Sequence, residues 1–193
     1  MRVHSADRCG DTPRSLNNLS SMLSELGQQQ PALEAAVEAV AHYRQLADQG
    51  PDRFLPNLAG SLNNLSNRLS ELGQYEPALD ASTESVSIYR QLAEQEPDSF
   101  LPILAVCLHN LSKISSKLGR SRAALDAITE SVERILPVLE QSWHVLPDSG
   151  AQLTERYVAC CQDSDEGPDD TLIERLTTVL RAGGMADGTD VDR

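Results

Sequence analysis

A block of 46 residues recurs along this chain, and that period limits its fold more than any other feature. Ser15-Leu16-Asn17-Asn18-Leu19-Ser20 returns as Ser61-Leu62-Asn63-Asn64-Leu65-Ser66, and again, altered, as Cys107-Leu108-His109-Asn110-Leu111-Ser112. Gly27, Gly73 and Gly119 keep the same offset, as do Leu33, Leu79 and Leu125, and Glu38, Glu84 and Glu130. Between residues 15–58 and 61–104, 30 of 44 aligned positions are identical. Self-similarity of this length marks a stacked-repeat architecture, in which each unit buries its apolar face against its neighbours.

Each unit reads as two helices. In the second unit Leu55, Leu58, Leu62, Leu65, Leu69 and Leu72 alternate spacings of three and four, the stripe of an amphipathic helix. Asp52 is expected to cap this helix and Pro56 to fall in its first turn, where a missing N–H does little harm. Gly73 is expected to end it in a positive-φ conformation. Pro77 opens the next helix, whose expected apolar face is Leu79, Thr83, Val86, Tyr89 and Ala93, and Pro97 closes it.

These residues carry a likeness to a known family. A first helix with Leu-Asn-Asn-Leu, a Leu-Gly turn, a Pro-Ala-Leu start to the second helix and a closing proline resemble the tetratricopeptide repeat over about residues 13–146. A 46-residue unit is longer than the usual 34, and is most similar to repeats of the kinesin-light-chain type; related long repeats in large signalling proteins make the likeness lean bacterial. It implies an all-α fold, a right-handed superhelical solenoid of antiparallel helix pairs. No Gly-x-x-x-x-Gly-Lys-Ser/Thr phosphate loop accompanies the repeats.

The third unit departs from the first two. Ala123 stands where Pro31 and Pro77 do, Ile135 replaces Tyr43 and Tyr89, and Pro137 is expected to kink or shorten its helix. Ser115 replaces Leu23 and Leu69, with Ile114 expected to take over the packing. A degenerate fourth pair follows, with Tyr157 placed 46 residues after Leu111 and Leu172, Leu176, Val179 and Leu180 at helical spacing; it reads as a cap on the last apolar face. The expected organisation is a flexible stretch 1–12, repeats at about 13–51, 52–97 and 98–146, a capping pair at 150–182 and a disordered tail 183–193. The first helix is expected to be shorter than its counterparts, with its outer apolar face open. Either self-association through that uncapped N-terminal end, giving a homo-oligomer, or membership of a longer array is expected from it.

Composition narrows the function. A net charge of −13 repels phosphate backbones and anionic lipid, which argues against nucleic-acid and membrane partners. Aromatic residues make up only 4%, which suits helices packed through Leu, Ala and Val. Nothing approaches the ~20 apolar residues a bilayer span needs, residues 1–14 lack the apolar centre of a secretory signal, and the four cysteines form no Cys-x-x-Cys pair. A reduced cytoplasm is the expected setting. His4, His42, His109 and His144 lack metal-ligand spacing, no catalytic motif appears, and neither a cofactor nor an enzymatic activity is expected. Cys160 and Cys161 read as core residues sooner than as a nucleophile served by His144, and Trp143 as a cover for the end of the stack.

The resemblance implies that first helices of successive pairs line a concave groove that holds a protein or peptide partner. Carried onto this sequence, the groove candidates are Asn17, Asn18 and Ser21, with Arg14, Ser24 and Glu25; then Asn63, Asn64 and Asn67, with Ser70 and Glu71; then His109, Asn110, Lys113 and Lys117, with Ser116. An amide offers a donor and an acceptor, matching the main chain of an extended peptide; the alternative is that these asparagines bond across helices and fix the stacking. Asn17 and Val106 stand where family members that clamp chaperone tails carry basic residues, which argues against that ligand. The alternatives kept open are a self-associating structural module, a piece of a larger signalling protein, and a peptide-sensing regulator.

Overall fold

The computed structural model describes residues 5–141, 149–164 and 166–182, with side chains over 12–141, 152–164 and 166–181. Trp143, His144 and residues 183–193 lie outside the described residues. The described residues form eight helices and no strand: α1 Ser5–Glu25, α2 Gln29–Gln49, α3 Pro51–Glu71, α4 Tyr75–Gln95, α5 Pro97–Lys117, α6 Ser121–Gln141, α7 Ser149–Asp163 and α8 Asp170–Ala182. α1 through α6 each have 21 residues, and their bounds recur at the 46-residue offset without slippage. The chain falls into two units, Met1–Leu92 and Ala93–Arg193.

The turn inside each pair is built three times the same way. Gly27, Gly73 and Gly119 have φ of 73°, 72° and 68°. In the second turn the Gln74 N–H donates to the Leu69 carbonyl at 2.9 Å and the Gly73 N–H to the Ser70 carbonyl at 3.0 Å. Equivalent bonds join Gln28 to Leu23, Gly27 to Ser24, Arg120 to Ser115 and Gly119 to Ser116. This is the Schellman arrangement, which satisfies carbonyls that the helix end would leave bare.

Several expectations are corrected. α1 is as long as its counterparts, since it starts at Ser5. Asp52 does not cap α3: Gly50 holds the N-cap position without a side-chain bond, Pro51 begins the helix, and Asp52 lies in its first turn. Pro56 therefore sits in the second turn, and the carbonyl it leaves unbonded belongs to exposed Asp52. Thr83 is exposed; the buried side of α4 is instead Ala78, Ala81, Ser82, Ser85, Val86, Tyr89, Leu92 and Ala93. Pro137 does not shorten α6.

In the first unit Leu58 and Leu62 of α3 pack with Val40, Tyr43 and Ala47 of α2 and Ala81 of α4. Ser85 donates to the Ala59 carbonyl at 2.8 Å and Tyr89 to the Pro56 carbonyl at 3.2 Å, tying α4 to α3. The second unit repeats the serine bond, from Ser131 to the Ala105 carbonyl at 2.9 Å. Its core joins Ile128, Val132, Ile135 and Leu136 of α6 to Leu153, Tyr157, Cys160 and Cys161 of α7 and Leu172, Leu176 and Val179 of α8. Ile114 is 2% exposed and Ile135 fully buried, so both substitutions in the third unit keep the interior apolar. Burying side chains of this size contributes about 1.5–3 kcal/mol each. Both cysteines of the adjacent pair belong to this core, and burial pushes the Cys161 thiol up.

Candidate functional site

Within the first unit, the candidate groove residues divide by what already holds them. The Asn17 amide nitrogen donates to Ser61 Oγ at 2.6 Å, from α1 to α3, while its carbonyl oxygen is buried without a partner among the described residues. Ser24 donates to a Glu71 carboxylate oxygen at 2.9 Å, and Arg68 pairs with Glu71 at 3.0 Å. Asn17, Ser24 and Glu71 thus join helices of successive pairs. Asn18 and Ser21 are exposed, Ser21 donating to the Asn17 carbonyl of its own helix at 3.2 Å. Asn63, Asn64 and Asn67 are half-buried on α3.

Within the second unit, α5 and α7 border a pocket of about 190 Å³ lined by Ala105, Val106, His109, Asn110, Lys113, Gln152 and Leu153. Three predicted residues, His109, Asn110 and Lys113, are brought together there; Lys117, one turn farther along α5, is exposed. Burial holds the His109 pKa down to about 4, reinforced by the charges of Lys113 and Arg156. Its Nδ1 is buried without a partner among the described residues.

Arg156 is the residue the sequence reading passed over. It stands 46 residues after Asn110, so it occupies on α7 the place that Asn18, Asn64 and Asn110 hold in their repeats. The period that aligned Tyr157 with Leu111 also carried this signal. Its Nε donates to Ser112 Oγ at 3.2 Å and its Nη2 to the Ser112 carbonyl at 2.9 Å and to Ser116 Oγ. Ser112 Oγ also lies 3.3 Å from Cys160 Sγ. The arginine is therefore a staple between α7 and α5.

A tandem array of antiparallel helix pairs with a polar, periodic first-helix surface defines an α-helical repeat protein. Residues 14–51 and 58–99 match the family model of the tetratricopeptide repeat. Members of this family commonly serve as protein-interaction modules and are typically not enzymes.

Solved structures agree on the fold. BtubC (BKLC) from P. vanneervenii is similar at 20% identity and a TM-score of 0.52, over 94% of this chain and 77% of that one. A putative kinesin light chain with nearly identical TPR-like repeats from Podosopora anserina is similar at 19% identity and a TM-score of 0.51, over 90% and 87%. Aspartyl phosphate phosphatase F from Bacillus subtilis reaches a TM-score of 0.54 at 14% identity, over 92% of this chain but 46% of that one. Among curated protein sequences none matches this chain. No helix among the described residues is long and apolar enough to cross a membrane.

Proposed function

We propose that this protein is a non-catalytic interaction module that holds an extended segment of a protein partner along the first helices of its repeats. The observation that carries the reading is the recurrence of Asn18, Asn64 and Asn110 at one helical position, exposed or half-buried, on helices otherwise committed to leucine packing. Asparagine is a poor helix former, so its return at this position is better explained by what the amide bonds than by the helix. Asn17 supports the stacking alternative at its own position, because its nitrogen already engages Ser61.

The test selects binding peptides from a random display library on the intact chain and then substitutes Asn18, Asn63 and Asn64 with alanine. Loss of peptide binding with an unchanged helical circular dichroism spectrum is expected. Peptides that bind the triple variant as tightly as the parent would remove the groove as their site.

A second reading is favoured by one further observation. Leu19, Met22 and Leu26 on α1 are 46%, 61% and 70% exposed. Of the matching positions on α3, Leu65 packs on the cluster that includes Val40, Tyr43 and Ala47 of α2, the second helix of the preceding pair, while Arg68 stands where α1 has Met22. α1 has no such helix against it among the described residues, and a second copy of the chain would bury the stripe. Sedimentation across a concentration series should show association that Leu19→Asp with Met22→Asp abolishes. A parent protein that stays monomeric throughout would dismiss this reading.

A further inference from the structure

α1 and α3 are nearly the same helix in sequence. Between residues 15–26 and 61–72 only two positions differ: Ser21 stands for Asn67, and Met22 for Arg68. Arg68 is half-buried and pairs with Glu71 at 3.0 Å, whereas Met22 is 61% exposed between the exposed Leu19 and Leu26. A helix that met only water here would be served better by the arginine. The methionine instead makes the open stripe continuous and apolar, the mark of a surface that is covered in use.

The rest of the chain narrows what covers it. Among the described residues six large apolar side chains are exposed, and three of them form this stripe. The others, Val37 on α2 and Ile103 and Val106 on α5, form no stripe of three, and α7 and α8 contribute none. The match this chain offers to the α1 stripe is therefore the same stripe on another copy. Charge agrees with that. From Thr12 to Leu33 the only charged residues are Arg14 and Glu25, one of each sign, in a chain of net charge −13. Both are exposed, and neither has an ion-pair partner among the described residues.

Helix geometry sets the orientation. At about 100° per residue, Leu19, Met22 and Leu26 fall within about 60° of one another. Arg14 and Glu25 lie about 20° apart on one flank of that stripe, separated by about 16 Å along the axis. A twofold axis between Leu19 and Met22, perpendicular to α1, sets two copies antiparallel with like flanks on the same side. Leu19 then meets Met22 of the second copy. Arg14 is about 10 Å from that axis in one direction and Glu25 about 7 Å in the other. Each arginine thus comes level with the glutamate of the other copy, twice in the dimer. A parallel pair would put the like flanks on opposite sides and join neither.

We propose that α1 is a self-complementary dimer interface, in which two copies pack antiparallel with Leu19 on Met22 and Arg14 paired with Glu25 of the other copy. This rests on the self-association reading above and gives it an orientation and a register. A contact in which one patch meets itself closes after two copies. One helix from each copy lies at the small end of stable interfaces, so the dimer forms in proportion to concentration.

The experiment is sedimentation equilibrium of the intact chain over a concentration series at low ionic strength, with circular dichroism confirming the fold of every variant. The parent should pass from monomer to dimer and no further. Met22→Arg, which gives α1 the residue that α3 already accommodates, should weaken dimerisation at least about tenfold. Arg14→Glu alone and Glu25→Arg alone each set like charges together at both ends of the contact and should each weaken it about tenfold. An equimolar mixture of these two single variants should recover the parent's affinity, because opposite charges then meet at both ends. The chain carrying both changes should recover it too.

A parent that stays monomeric refutes the self-association reading and this dimer together. Growth past two copies, single charge reversals without effect, or a mixture that associates no better than its components refutes the antiparallel register and leaves self-association standing. Indifference to Met22→Arg removes the stripe itself from the contact.

Discussion

Replacing Gly73 with alanine isolates one backbone conformation, because the surroundings leave room for the side chain. A Cβ at Gly73 would meet nothing within 4 Å, yet φ is +72°. The cost is therefore conformational and not steric. Holding an L-residue in the left-handed region costs about 1–2 kcal/mol, and alanine recovers about 0.4–1 kcal/mol by restricting the unfolded chain. The net loss is about 1 kcal/mol, or ~2–4 °C of melting temperature for a domain of this size. Gly73→Asn should lose less, since asparagine tolerates this region better. Gly167 is the control: its Cβ would also meet open space, and its φ lies outside the left-handed range, so Gly167→Ala should be neutral or slightly stabilising. Urea unfolding followed by circular dichroism reads all three variants. Equal effects of alanine at 73 and 167, or stabilisation at 73, would show that the turn does not depend on positive φ.

Ile128→Ala removes a fully buried side chain at the centre of the second unit and should cost about 2–5 kcal/mol. Val37→Ala, at a residue 51% exposed, should stay within about 0.5 kcal/mol, and urea midpoints will show whether the two differ. His109 makes stability depend on pH: the folded chain takes up its proton less readily than the unfolded one, with a pKa of about 4 against 6.5. The stabilisation is complete above pH 6.5 and is lost as pH falls toward 4. His109→Gln should flatten the parent's decline in unfolding midpoint between these values, and parallel slopes in the two proteins would contradict the burial.

The sequence was most legible where the period could be checked against itself. Leu62 and Leu108, predicted at the same place in two repeats, are 1% and 0% exposed, and all three glycine turns have the expected φ. Single-position readings fared less well. Thr83 looked internal from its place between Leu79 and Val86, but α4 buries the neighbouring small residues Ala81, Ser82 and Ser85, which bring its backbone close to α3. Asp52 looked like a cap because the type is right, although Gly50 and Pro51 start the helix a turn position earlier. Among the site residues, polarity at 17, 63 and 109 was readable, whereas Asn17's bond to Ser61 was not, because it joins residues 44 apart across two helices. Arg156 was hidden by decay of the repeat around it, which left alignment by offset as its one signal.

The 46-residue offset of the bounds of α1 through α6 also says how such a chain can change length. Each residue added to a helix turns everything after it by about 100°, so a copy one residue too long would swing the downstream leucines away from their partners and expose them to water. Whole modules escape that penalty, because every donor finds its acceptor again after the insertion. Growth or contraction by complete units is thus the mutation this architecture tolerates, and the near-identity of residues 15–58 and 61–104 has the form such an event leaves behind.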